Sequence, residues 1–166
     1  MKVVLQRVLS ASVLVEGNVV GAIGPGLLCF IGIGNDDTED DAEWCCRRIL
    51  NARLWPEESK RPWKLSVKDK EYELLLVSQF TLHGQFLGNK PDFHLSMTPS
   101  LAKEFYDAFC ERVRRDYVAD KVAEGMFGAY MEVSLVNDGP VTMQLDSKIL
   151  GMLRQTTYPQ MQYYVA

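Results

Sequence analysis

Tyr130-Met131-Glu132-Val133-Ser134-Leu135-Val136-Asn137-Asp138-Gly139-Pro140-Val141-Thr142-Met143-Gln144-Leu145-Asp146 holds two strand-like runs, Tyr130 to Val136 and Val141 to Asp146. Between them stands Asn137-Asp138-Gly139-Pro140. Asn, Asp, Gly and Pro are turn residues, so the pattern predicts a hairpin that reverses between Asn137 and Thr142. The segment also allows more than a turn requires. Gly139 has no side chain and Pro140 has no backbone donor. The peptide between them offers carbonyls with nothing bulky beside them, so a ligand could approach it closely. An X-Pro bond is also the one peptide that is cis at modest cost.

Working outward, the first quarter of the chain carries the same kind of signal. Val3 to Leu9 alternates imperfectly, Ala11 to Val15 is a second run, and Gly17-Asn18 turns the chain into Val19 to Ile23. After Gly24-Pro25-Gly26, the unbroken apolar run Leu27 to Ile33 fits a strand covered on both faces. Closely spaced turns and a period of two predict an antiparallel meander or barrel-like sheet.

The period then changes to that of a helix. Thr38 precedes the acidic Glu39-Asp40-Asp41, and Ala42, Cys45, Cys46 and Ile49 fall on one helical face. Glu57 to Lys70 is charged, contains Pro62, and reads as a loop or a poor hairpin. Glu73 to Leu82 reads as one central strand, followed by a Gly-rich loop from His83 to Pro91. Thr98-Pro99 starts a second helix with a capping hydroxyl, and Leu101, Phe105, Ala108, Phe109 and Val113 form its stripe. Gly125 to Ala129 is an apolar loop leading into the last hairpin. The expectation is an α/β protein of the α+β type, with antiparallel sheets forming a barrel-like core and two main helices packed outside. One domain spans 1–146, and 147–166 is a tail that docks or stays disordered.

Composition narrows the function classes. A chain of 166 residues with 47% hydrophobic content suits one domain with a real core. It has no apolar run long enough to cross a membrane and no signal-peptide pattern, so a soluble cytoplasmic protein without a membrane partner is expected. Cys29, Cys45, Cys46 and Cys110 form no C-x-x-C pair and read as buried free thiols. No metal site and no cofactor is expected, because metal-ligand spacing and Gly-rich phosphate loops are both lacking. A net charge of −4 disfavours a general nucleic-acid binder while leaving room for local basic contacts at Arg47-Arg48, Lys60-Arg61 and Arg112-Arg114-Arg115.

As a hydrolase the chain is poor in catalytic side chains. Its two histidines are His83 and His94. Thr81 and His83 would share a strand face, but residues two apart on a strand stand roughly 6–7 Å apart, long for proton transfer. No G-x-S-x-G elbow is present.

Three stretches together are more specific. The opening Lys2-Val3-Val4-Leu5-Gln6-Arg7-Val8, then Ser78-Gln79-Phe80-Thr81-Leu82, then Asn137-Asp138-Gly139-Pro140-Val141-Thr142 resemble the D-aminoacyl-tRNA deacylase family, whose two signatures are the last two. Gly88-Asn89-Lys90-Pro91-Asp92-Phe93-His94 resembles its eukaryotic members. The resemblance runs from Met1 to about Asp146 and implies hydrolysis of the ester between a D-amino acid, or glycine, and the terminal adenosine of tRNA. It implies a homodimer that meets the acceptor end of the tRNA, with the site at the subunit boundary. Gly139-Pro140 would be cis, and its carbonyls would enter the partner's pocket to exclude an L side chain. Ser78, Gln79, Phe80 and Thr81 would form the opposite wall, with backbone N–H groups facing the ester carbonyl. The chemistry would be driven by the tRNA 2′-OH or by Thr81 as nucleophile. Phe127 would border the adenosine, Arg7 would brace the Gly-Pro segment or make a rim salt bridge, and Ala102 would leave the pocket room or simply pack in the core. The alternatives are a deacylase of mischarged L-aminoacyl-tRNA with a trans Gly-Pro, and a DNA-binding module linked to replication.

Overall fold

The structure is a computed structural model and describes residues 1–149. Three strands open the chain: β1 (Lys2–Val15), β2 (Asn18–Ile23) and β3 (Gly26–Gly32). Two helices follow, α1 (Glu39–Asn51) and the short α2 (Val67–Lys70), leading into β4 (Glu73–Ser78). A small hairpin, β5 (Gln85–Leu87) and β6 (Lys90–Asp92), precedes α3 (Pro99–Asp116), β7 (Val122–Glu124) and β8 (Glu132–Asp146). The main sheet has the order β2-β1-β3-β4-β7, and β8 pairs with β1.

The class and the barrel-like core are as expected, with α1 and α3 outside. The sheet is nevertheless mixed. β1 pairs antiparallel with β2, β3 and β8, whereas β3–β4 and β4–β7 pair parallel. Connection length decides which. Tight turns allow only antiparallel pairing, and parallel neighbours need the crossovers that α1 with α2, and then α3, supply. The curled sheet nearly closes where β2 meets β7. A methyl at Gly21 would lie 2.5 Å from the Glu124 carbonyl oxygen, so the two edges approach to a distance only glycine permits.

The imperfect alternation near the N-terminus has a cause. Instead of two strands, β1 is one, and its buried positions Val3, Leu5, Val8, Ala11 and Val13 change parity around Arg7 and again before Ala11. Those are the places where the β1–β8 register shifts. Gln6 pairs with Thr142 and Val8 with Asn137, so Arg7 alone stands opposite Asp138, Gly139, Pro140 and Val141. The expected terminal hairpin is therefore replaced by one long strand with a bulge. A hairpin needs the two runs to pair with each other; here both pair with β1, so the turn residues serve to extrude the bulge.

Two apolar layers hold the fold. Val3, Leu5, Leu27, Cys29, Leu74 and Leu76 meet Ile49 of α1 and Tyr106, Phe109 and Val113 of α3. Inside the curl, Val8, Val13, Ile23, Leu28, Leu75 and Val77 form a second cluster. β3 and β4 contribute to both, which explains their unbroken apolar runs. The four cysteines are free and buried. Burial raises the Cys45 and Cys46 thiols to about 12, so they pack as hydrophobes.

Several local expectations shift. Thr38 caps α1 in a reciprocal box with Asp41. Part of the expected Glu57–Lys70 loop is α2, started by a capping box between Ser66 and Asp69. Pro99 sits in the first turn of α3, but Thr98 makes no capping hydrogen bond. The α3 stripe is rotated from the expected one, since Ala102, Tyr106, Phe109, Cys110 and Val113 are buried while Leu101 and Ala108 face solvent. Cys110 and Tyr106 win the inward positions because Tyr106 Oη donates to the Leu76 carbonyl at 2.9 Å, which fixes the helix on the sheet. Ser147 and Lys148 dock on the body: the Met1 ammonium donates to Ser147 Oγ at 2.6 Å and Lys148 Nζ to Asp41 Oδ2 at 2.7 Å. The remainder of the expected tail, with Tyr158, Pro159, Tyr163 and Tyr164, lies outside the described residues. No described helix is long and apolar enough to cross a membrane.

Candidate active site

The chain leaves the sheet at Ser78 instead of continuing as a strand to Leu82. Gln79 N–H donates to the Ile31 carbonyl at 2.7 Å, and Phe80–His83 then makes a 3₁₀ turn. Gly32 at the end of β3 explains the break. A Cβ there would lie 2.7 Å from Leu82 Cβ, so the turn folds over a spot only glycine leaves open.

This turn dissolves the Thr81–His83 pair. His83 is buried against Gly34, whose missing methyl would fall 2.8 Å from His83 Cε1. Burial lowers the His83 pKa and favours the neutral ring, and Nε2 finds no hydrogen-bond partner among the described residues. Thr81 Oγ1 accepts from Gln79 Nε2 at 2.5 Å and has no base beside it. Thr81 also lies outside the main cleft. It borders a shallow depression of about 350 Å³ with Val4, Gln6, Phe30 and Gln79.

The cleft itself has a volume of about 650 Å³. Ile31, Ile33 and Ala102 line its depth, and Ser78, Gln79 and Phe80 form one wall. Phe93, His94, Ser96, Met97, Thr98 and Pro99 form the facing wall, and Phe127 and Gly128 close one end. The walls are mostly apolar, with a few hydroxyl and amide groups, as suits an organic ligand. Phe127 is set by its ring contact with Tyr106, centroids 5.7 Å apart, and by Gly125 N–H donating to the Leu76 carbonyl at 2.8 Å. Ser96 Oγ donates to the Phe80 carbonyl at 3.0 Å and ties the two walls together. His94 is the one ionisable side chain among the lining residues. Its Nδ1 meets Asp92 Oδ2, and that hydrogen bond lowers the Asp92 pKa.

Backbone donors at the wall are partly committed. Gln79 N–H is taken by Ile31. Phe80 and Thr81 begin the 3₁₀ turn, so their N–H groups precede its internal hydrogen bonds and are not used by it.

Gly139, Pro140 and Arg7 form a second group and do not line the cleft of their own chain. Gly139–Pro140 is cis, the isomer the resemblance implies, and Gly139 has φ +123°. Both residues are exposed. Arg7 Nε donates to the Asp138 carbonyl at 3.1 Å and pairs with its carboxylate at 3.1 Å, while Nη1 donates to the Leu54 carbonyl. A Cβ on Gly139 would stand 3.2 Å from Arg7 Nη2. Arg7 thus links the Asp138 carbonyl and carboxylate to the Leu54 carbonyl.

Sequence reading placed Ser78, Gln79, Phe80, Ala102 and Phe127, which meet at the cleft. It missed the facing wall from Phe93 to Pro99. The signal was present in Gly88 to His94, but a loop that crosses over a pocket leaves no periodicity to read.

A family model described as D-Tyr-tRNA(Tyr) deacylase matches residues 4–146. A Dictyostelium discoideum protein named D-aminoacyl-tRNA deacylase is 54% identical over 149 residues, covering 89% of this chain and 99% of the relative. The Homo sapiens D-aminoacyl-tRNA deacylase 1 is 48% identical over 151 residues, covering 91% of this chain and 72% of the relative. Among solved structures, one titled c-Myc DNA Unwinding Element Binding Protein superposes with TM-score 0.84 at 49% identity, covering 88% of this chain and 98% of that one.

Proposed function

This chain belongs to the D-Tyr-tRNA(Tyr) deacylase family, and we infer that it is a D-aminoacyl-tRNA deacylase, a hydrolase of the ester between a D-amino acid and the terminal adenosine of tRNA. The observation that carries the reading is an apolar cleft walled by Ser78, Gln79 and Phe80, with the Phe80 N–H unused by the 3₁₀ turn it starts and no paired nucleophile and base among the described lining residues. Ester hydrolysis in such a place relies on stabilising the oxyanion and on a nucleophile activated by the substrate. The ester carbonyl sits against the Phe80 N–H, and one such donor lowers the barrier by roughly 3–4 kcal/mol. The neighbouring ribose 2′-OH assists the attack of water, the ester C–O bond breaks, and the 3′-oxygen leaves with a proton. Thr81 is the weaker candidate nucleophile, because its hydroxyl is engaged by Gln79 and no base adjoins it. Phe127 flanks the adenosine, and the small Ala102 leaves depth for the acyl group.

Handedness comes from a second copy. Gly139 and Pro140 are exposed and do not line the cleft of their own chain, so they act on a partner's. In a two-fold dimer each bulge, held by Arg7, reaches the partner's cleft and sets rigid main chain where an L side chain would lie. The enzyme works in the cytoplasm, where aminoacyl-tRNA is made, and meets only the acceptor end of the tRNA. DNA binding is not favoured. The net charge is −4, and the curated relatives bear deacylase names. Hydrolysis of D-Tyr-tRNA and L-Tyr-tRNA tests the reading directly: selective loss of the D ester supports it, and equal loss or none overturns it.

A further inference from the structure

The β5–β6 hairpin is not used by the function above. It forms a separate two-stranded sheet, unpaired with the main one. Isolated hairpins are marginal in water, and this one displays two large apolar side chains, with Phe86 77% and Leu87 66% exposed. Its register pairs Phe86 with Pro91, so both lie on one face. Just beyond β6, the Phe93 ring packs edge-on against Phe80, with centroids 5.0 Å apart, and both rings line the cleft. A row of flat apolar groups therefore runs from the tip of the hairpin into the cleft mouth. Lys90, which pairs with Leu87 on the opposite face of the hairpin, is exposed and has a stem long enough to reach round its edge, and His94, hydrogen-bonded to Asp92, lines the cleft.

We propose that this hairpin is the platform for the unpaired nucleotides that precede the terminal adenosine of the tRNA, with Phe86 stacking on a base and Lys90 and His94 facing the phosphates. The inference rests on the deacylase reading, which places the adenosine in the cleft and requires the strand to leave through its mouth. The chemistry suits single-stranded RNA. An exposed aromatic row accepts any base by its face, and nearby cations track the backbone. In a chain of net charge −4, an exposed lysine on the hairpin gives a local complement to the polyanion.

The test compares two substrates, D-Tyr-tRNA and 3′-O-D-tyrosyl-adenosine, which lacks the preceding nucleotides. Phe86→Ala should lower kcat/KM on D-Tyr-tRNA about tenfold more than on the adenosine ester, mainly through KM. Phe86→Trp should restore the preference, and Lys90→Gln should flatten the salt dependence of KM on the tRNA alone. Equal losses on both substrates, or no loss on either, would overturn the platform while leaving the deacylase reading intact. Conversion of a dimer to a monomer by Phe86→Ala in sedimentation would also overturn it, by making the hairpin a subunit contact. If the parent protein cleaves neither substrate, the deacylase reading itself fails.

Discussion

Replacing Arg7 probes the link between the bulge and the body of the protein. Its side chain is 13% exposed and is the one β1 residue facing Asp138 to Val141. Arg7→Met keeps the stem but removes every donor, leaving the Leu54 and Asp138 carbonyls without their charged partner. Each charge-assisted hydrogen bond contributes about 1.5–3 kcal/mol. The Asp138 carboxylate is 34% exposed, so its ion pair adds little more. The two bonds together make a destabilisation of about 3–6 kcal/mol, which at about 2–4 °C per kcal/mol in a domain of this size lowers Tm by about 6–24 °C. Arg7→Lys retains the charge but cannot fork between Leu54 and Asp138, so about half that loss is expected. The bulge should also lose its fixed position, and the ratio of D-Tyr-tRNA to L-Tyr-tRNA hydrolysis should fall in the same order. Thermal denaturation and the two deacylation rates read these effects separately. An Arg7→Met protein with unchanged Tm and an unchanged D/L ratio would refute the brace.

Three further outcomes follow from the packing. Gly21→Ala drives a methyl to 2.5 Å from the Glu124 carbonyl oxygen and should cost about 1–3 kcal/mol in denaturant unfolding as β2 and β7 separate. Ala102→Leu fills the depth of the cleft and should cut kcat/KM for D-Tyr-tRNA by about tenfold or more, with little change in Tm. Burial alone would raise the Asp41 pKa, but hydrogen bonds from Lys148, Ser147 and Thr38 outweigh it and hold the carboxyl well below the usual range. A depressed folded-state pKa gives stability above the unfolded value of about 3.9 that is lost as pH falls through the folded value. Asp41→Asn should therefore be less stable than the parent at pH 7 by about 1–2 kcal/mol, with the gap closing in acid below about pH 4, as read by unfolding across pH.

The elements most legible in the sequence were those whose pattern is local. Thr38 and the acidic first turn announced α1, and the unbroken Leu27 to Ile33 announced a strand buried on both faces. What escaped depends on distant partners. Nothing near Asn137 says that both flanking runs pair with β1, so an extruded bulge looks like a turn. Nothing near Gln79 says that Gly32 will let the chain fold over β3, so a 3₁₀ turn looks like more strand, and a Thr–His pair that does not exist looks possible. Parallel pairing of β3 with β4 was hidden for the same reason. The site was legible as two motifs, but the facing wall from Phe93 to Pro99 was not, because its residues are joined by position over the cleft and not by spacing.

Initial rates on D-Tyr-tRNA and L-Tyr-tRNA, measured side by side with the purified parent protein, show whether the cleft discriminates by the handedness of the acyl group. Rapid loss of the D ester is expected, with the L ester lost no faster than by its spontaneous decay. Cleavage of both at the same rate, or of the L ester alone, would contradict it.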